Sequence, residues 1–321
     1  MSHQKRLVSS CSGLLLQVVF ACVAAAHPGA GIAVDEHGVV YFADTGMGIW
    51  RLAEGGKPLL ISRVTPHWMV LDRTGAFSKS RAKIGNWFER ATPEGAVPTV
   101  IAAMDFPAAM GRDGNLYYAN TLQPPGKIVR RTPNGEETNV AEIVNEPNAN
   151  VRPGEARYVT GLSAAPNGTL YLVVASAQGS YVDIRKVGMD GKVEIVARSF
   201  VPADLKFDAR PAIAPSAVPA GMPVPMLART YCRGLVLAED GTIYVAANAC
   251  RTVLAIGPDK IVRVVLQADA PWSPTDIALH NGAIYVLEYD HTGEDRKFWT
   301  PRIRKIDREG KVHTLATVTR E

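Results

Sequence analysis

One pattern recurs six times between residues 31 and 288 and restricts the fold more than any other feature. A short apolar strand runs into a turn ending in Gly, and a strand carrying an aromatic follows. The first copies are Gly31-Ile-Ala-Val-Asp-Glu-His-Gly38 with Val40-Tyr41-Phe42-Ala43-Asp44, Trp68-Met-Val-Leu-Asp-Arg-Thr-Gly75 with Phe77, and Pro107-Ala-Ala-Met-Gly-Arg-Asp-Gly114 with Leu116-Tyr117-Tyr118. The later copies are Gly161 to Gly168 with Leu170-Tyr171-Leu172, Gly234 to Gly241 with Ile243-Tyr244-Val245, and Thr275 to Gly282 with Ile284-Tyr285-Val286. Asp-Gly and Asn-Gly supply the positive φ of tight hairpins. Apolar and aromatic residues on both faces suit strands covered on both sides.

Most copies continue into two further strand-like pieces, such as Ile128-Val129-Arg130-Arg131 then Thr138-Asn139-Val140-Ala141. Four antiparallel strands per unit, repeated six times, predict an all-β fold, a six-bladed β-propeller forming a single domain over 27–321. The turn glycines at 38, 75, 114, 168, 241 and 282 are close together except across two gaps. Those gaps predict insertions at about 143–157 and about 200–229, the second rich in proline and suited to lying across a face. The second copy is the weakest, because Phe77-Ser78-Lys79-Ser80 lacks an apolar strand core and Asn86-Trp87-Phe88-Glu89-Arg90 restores one later. No strand shared between the two ends of the chain is evident, so ring closure is open.

Residues 1–26 read as a signal peptide: Lys5 and Arg6, an apolar run from Leu14, and small residues ending at Ala26. A lipobox-like Val19-Phe20-Ala21-Cys22 is a second reading. Cleavage after Ala26 predicts a periplasmic or secreted protein with no remaining membrane span. It would leave a net charge of about +2, removing only Lys5 and Arg6 from the formal +4. A near-neutral chain without a basic stripe argues against nucleic acid as a partner. Cys232 and Cys250 lie symmetrically about Gly241, and in an oxidising compartment that spacing predicts a disulfide between neighbouring strands.

The repeats resemble NHL-type repeats and the gluconolactonase (senescence marker protein) family of six-bladed propellers, over nearly all of residues 30–320. The resemblance implies a divalent metal in the central channel, held by Glu, Asn and Asp just before the Gly-apolar pair of inner strands. Aligned eight residues before each turn glycine, those positions read Ala30, His67, Phe106, Thr160, Arg233 and Pro274, which does not match that ligand pattern. The metal therefore stays unknown. The histidine zinc site of the related peptidylglycine-amidating lyases would have His27, His67, His280 and His291 to draw on, without tight ligand spacing.

A second column, six residues after each turn glycine, reads Asp44, Arg81, Asn120, Val174, Ala247 and Glu288. Polar residues at a strand end of this kind suit a channel mouth. His67 and Glu288 are the candidates for proton transfer, and Arg233, Asp44, Asn120 and Trp272 for ligand binding. Trp68 and Trp299 are further candidate aromatic walls. Two functions fit. One is an exported, monomeric hydrolase or lyase acting on a lactone or sugar-acid-like small molecule. The other is a non-catalytic propeller that binds a protein or a glycan.

Overall fold

The computed structural model describes residues 28–104, 106–121, 126–143, 157–176, 181–206, 231–290, 292 and 295–319. The expected signal peptide, His27, His291 and most of both insertions lie outside them. The described residues form six four-stranded antiparallel sheets, the blades of a β-propeller.

Blade one is β1 (Ile32–Val34), β2 (Val40–Asp44), β3 (Gly48–Leu52) and β4 (Leu59–Ser62). Blade two is β5 (Trp68–Asp72), β6 (Lys83–Ile84), β7 (Phe88–Arg90) and β8 (Thr99–Ala103), and blade three is β9 (Ala108–Met110), β10 (Leu116–Asn120), β11 (Gly126–Arg131) and β12 (Glu137–Ile143). Blade four is β13 (Arg157–Ala164), β14 (Leu170–Ser176), β15 (Val182–Val187) and β16 (Val193–Arg198). Blade five is β17 (Leu235–Leu237), β18 (Ile243–Ala247), β19 (Thr252–Ile256) and β20 (Val262–Gln267). Blade six is β21 (Trp272–His280), β22 (Ala283–Asp290), β23 (Thr300–Ile306) and β24 (Val312–Thr317). The inner strands β1, β5, β9, β13, β17 and β21 each contact the next around the ring, and β21 returns to β1.

Alternation explains why these strands are apolar on both faces. Successive side chains of a strand point to opposite sides, and every blade is sandwiched. In β2, Val40 and Phe42 pack on blade six, whereas Tyr41 and Ala43 pack on blade two. The core is accordingly divided into six apolar clusters, one between each pair of neighbouring blades.

The ring closes without a shared strand, since blades one and six are each built from one continuous stretch. Closure instead rests on the cluster in which Ile32, Val34 and Phe42 meet Leu287, Tyr289 and Trp299. Two polar contacts cross the same seam. The Tyr289 hydroxyl donates to Ala43 O at 2.6 Å, and Ile32 N donates to an Asp276 carboxylate oxygen at 3.2 Å. Tyr289→Phe orphans a buried carbonyl and is expected to cost about 1–2 kcal/mol, read as a lower denaturation midpoint. An unchanged midpoint would show that this bond does not hold the seam.

Blade two has the spatial order β5-β8-β7-β6. Buried Asp72 gathers four donors: Thr74 N, Thr74 Oγ1, Gly75 N and Phe77 N. That carboxylate ends β5 and seats Phe77 in the cluster shared with blade three. The chain then runs to the blade's outer edge and returns inwards. The weakness of this copy in the sequence is thus a reversal of strand order.

The expected disulfide is corrected: no disulfide joins Cys232 and Cys250, which are both buried. Beyond Ala247 the chain leaves β18 for a 3-10 turn, Asn248–Cys250, followed by Arg251 in the left-handed region at φ 53°. Arg233 N donates to Ala246 O and Ala249 N to Tyr231 O. Cys250 therefore sits in a turn beyond β18 rather than on a strand paired with the segment that carries Cys232. Burial, and then the nearby Cys250, push the Cys232 thiol well above the ordinary thiol range. Alkylation after unfolding, without reductant, is expected to label both cysteines. A pair that labels only after reduction would restore the disulfide.

Candidate functional site

The inner strands come very close near one end of the channel, and small residues make this possible. A Cβ on Gly31 would lie 2.7 Å from Met69 N, and one on Gly161 would lie 2.3 Å from Arg233 O. Each of these glycines faces the next blade. Strand register defines their column. The second-strand tyrosines Tyr41, Tyr117, Tyr171 and Tyr244 pair with Ala33, Ala109, Ser163 and Val236, eight residues earlier in each case. Two residues before those partners stand Gly31, Pro107, Gly161 and Gly234.

In blade six, Tyr285 pairs with Ala278, only seven residues earlier, because His280 and Ala283 enclose a two-residue turn. The residue in the glycine column is therefore Asp276. Its side chain reaches blade one, where Oδ2 accepts Ile32 N at 3.2 Å, and Oδ1 accepts Ile277 N at 2.9 Å. It also fills the space over Gly234, whose Cβ would lie 1.7 Å from Asp276 Oδ1. Desolvation is the main influence on this carboxyl and pushes it up to about 7. The two backbone amides and Arg233 act the other way. Its side chain is half-buried, at the inner edge of the ring.

Arg233 immediately precedes Gly234 and is 1 % exposed. Its guanidinium carbon lies 5.7 Å from the centre of the Trp68 ring. Trp68 belongs to blade two, diametrically opposite blade five, so this cation–π contact places the charge across the channel. Nη1 donates to Pro28 O, which precedes blade one. Nε and Nη2 are buried with no well-formed hydrogen bond among the described residues. Buried Tyr231 lies within hydrogen-bonding reach of the guanidinium, which draws its hydroxyl down against the larger rise from burial. The His67 ring meets Trp68 edge-on at 5.9 Å, completing the group at this mouth.

The other expected site residues are placed elsewhere. Glu288 is fully buried between blades five and six, and its Oε2 accepts Arg302 Nε at 2.6 Å, with Arg304 Nη1 3.8 Å away. Burial raises its carboxyl, against the opposing pull of Arg302. Trp272 carries the Arg302 guanidinium over its ring at 4.1 Å. Asp44 accepts Gly46 N at 2.9 Å and Trp50 Nε1 at 3.1 Å, which fixes the turn between β2 and β3. Asn120 ends β10 opposite Lys127. Arg81 lies exposed in the blade-two excursion, and Trp299 is buried in the closing seam. The structure therefore groups His67, Trp68 and Arg233 and places Asp276 over the neighbouring Gly234, while Glu288 and Trp272 share Arg302 in a separate cluster.

The donor set does not suit the divalent metal implied by the family resemblance. In register, the residues before the Gly-apolar pair include Ala30, Phe106, Thr160, Arg233 and Thr275, with Thr275 replacing Pro274 in the column. No carboxylate is among them. Among the described residues no three of His, Cys, Asp and Glu cluster. Asp276 is a single acid beside a guanidinium, and a cation there would meet like charge.

No family model matches this chain. No curated protein matches it either. Solved structures give weak likenesses. Regucalcin from Agrobacterium tumefaciens, described as a calcium-binding protein, is 12% identical over 92% of this chain and 75% of that one, with a TM-score of 0.44. A luciferin-regenerating enzyme is 14% identical over 92% and 78%, with a TM-score of 0.43. A catalytically inactive virginiamycin B lyase from Staphylococcus aureus, solved with quinupristin, is 15% identical over 91% and 70%, with a TM-score of 0.39. At these identities and scores neither activity nor site transfers. The fold rests on the strand order itself.

Proposed function

We propose that this propeller is an exported, monomeric hydrolase that opens a sugar-acid-like lactone at the Arg233 mouth of the channel. The carrying observation is Arg233, a fully buried cation lying across the channel, whose Nε and Nη2 make no well-formed hydrogen bond among the described residues although Tyr231 stands close enough to interact. A buried polar group without a partner is costly and is retained where a ligand supplies the partner. Guanidinium N–H groups in a fixed fork suit a carboxylate, or the oxyanion formed when water attacks a lactone carbonyl.

Asp276 supplies the proton chemistry. With its carboxyl at about 7 it exists in both forms near neutrality. The ionised form takes a proton from the attacking water as the new C–O bond forms. The protonated form returns that proton to the ring oxygen as the acyl C–O bond breaks, leaving a free acid and a hydroxyl. Trp68 supplies an apolar wall. His67, joined to the group through Trp68, is placed to orient the substrate at the rim.

Acid release from a panel of aldonolactones and uronolactones, followed with a pH indicator, tests the reading. Turnover of one of them is expected, with a rate that rises through neutral pH as Asp276 ionises. Complete inactivity on the panel, with no shift in melting by the lactones or their acids, would remove the enzymatic reading in favour of a binding propeller.

A further inference from the structure

At the end of the ring that carries the turn glycines, away from the Arg233 mouth, blades three and four part to leave a cavity of about 290 Å³. We propose that this cavity binds a small organic monocarboxylate, with its carboxylate on Arg130 and a compact apolar body against Tyr117 and Met189. Strand alternation aims Arg130 into the space. Ile128 of β11 packs on blade four, and Arg130, two residues on and paired with Tyr117, shares that face. Val140 and Ala164 line the walls, and Arg112 and Met189 stand at the rim. The two blades meet again beside the cavity, where a Cβ on Gly191 would lie 2.6 Å from Val140 O.

The charge balance selects a monoanion. Arg112 and Arg130 make no ion pair among the described residues, and Arg130 Nε is buried without a hydrogen-bond partner. The Arg130 guanidinium lies within hydrogen-bonding reach of the Tyr117 hydroxyl, which itself donates to Asp113 Oδ2 at 2.7 Å. Asp113 is the one acid of the lining, and its own hairpin occupies it: Asn115 N and Asn115 Nδ2 also donate to it, at 3.2 Å and 2.7 Å. Burial raises this carboxyl, but those bonds outweigh burial and hold it below its ordinary value. Two guanidiniums therefore face one satisfied carboxylate. A buried N–H without a partner favours an acceptor that supplies one, and a carboxylate matches the guanidinium fork. The rest of the lining asks for an apolar body. Met189 is 81 % exposed, and its sulfur lies 3.5 Å from where Gly168 would carry a Cβ, so an apolar side chain is laid over the turn with water on its other side. A ligand seated against it removes that surface from water.

The test is fluorescence titration of 2-naphthoate with the full-length protein, with 2-naphthalenemethanol as its uncharged counterpart. Expected is saturable binding of the naphthoate at one site, and binding of the alcohol weaker by about tenfold or more. Arg130→Met removes the fork and is expected to weaken naphthoate by a similar factor. Met189→Asp, at an exposed turn position, takes away the apolar rim and adds a repelling charge, so it also weakens naphthoate, whereas Met189→Leu keeps the affinity. Thermal melts confirm folding, and the two Met189 variants decide the matter if Arg130→Met does not fold. D-gluconate is too polar for these walls and is expected not to displace the naphthoate. Absence of saturable naphthoate binding, equal binding of the alcohol, or full affinity in Met189→Asp overturns the proposal. Displacement by D-gluconate would place the naphthoate at the channel mouth and overturn it as well. None of these readouts depends on lactone turnover.

Discussion

Asp276→Asn is expected to unfold at higher denaturant than the unaltered protein at pH 8 and to lose turnover. The sign follows from linkage. The carboxyl ionises near its ordinary value in the unfolded chain but only at about 7 in the fold. Between those values the folded state holds one more proton, so stability falls as pH rises and levels off above about 7. The full penalty is on the order of 4 kcal/mol, at 1.36 kcal/mol per pKa unit. Asn imitates the neutral acid but has one acceptor oxygen for two backbone donors, Ile32 N and Ile277 N. The net gain at pH 8 is therefore smaller, about 1–3 kcal/mol. The decisive readout is shape: denaturant midpoints of the unaltered protein decline between about pH 4 and about pH 7, while those of the variant stay level. Parallel curves would show that Asp276 titrates normally and would remove it from the chemistry. A residue whose replacement stabilises the fold and abolishes activity is retained for function.

The way Asp276 escapes a sequence reading is instructive. Counting back from the turn glycine works in copies one, three, four and five because their hairpins have one length. Blade six has a hairpin one residue shorter, so the same count lands on Pro274 and steps over the structural equivalents, Thr275 and Asp276. Counting back from the tyrosine and allowing for the Asn281-Gly282 turn would have exposed an acid at a position that is Gly or Pro in copies one, three, four and five. Arg233 was legible because its hairpin is of ordinary length. Glu288 was legible as a polar residue on a buried strand, but its partner was not. Arg302 lies directly opposite in register, fourteen residues on, and only the pairing of β22 with β23 makes that neighbourhood. The six-bladed architecture was readable from turns and alternation alone. Blade two's reversed order was not, because Asp72 and Gly75 match the other turns and the difference lies in how the Asp72 carboxylate gathers the backbone up to Phe77.

Arg233→Met is the complementary experiment. Met has similar length and no charge, so it fills the space across the channel and removes the fork. Replacing a buried charge by an apolar residue of similar volume is commonly neutral or stabilising, because the desolvation penalty disappears with it. Here Pro28 O loses its donor and Asp276 loses its cation, which offsets part of that gain. Stability at about pH 5, where Asp276 is protonated, is expected to stay within about 1 kcal/mol of the unaltered protein. Binding behaves differently. Truncating one partner of a desolvated, hydrogen-bonded charge pair costs about 2–5 kcal/mol, so gluconate affinity is expected to fall by at least about thirtyfold. Arg233→Lys retains the charge without the planar fork and should fall between the two. Cation–π contact with Trp68 survives that change, so a lysine that binds as well as arginine would mean that charge alone holds the ligand. A methionine variant that still binds would place the ligand outside the channel mouth altogether, whereas one that neither binds nor folds would mean that Arg233 pins blade five to Pro28 and serves the ring.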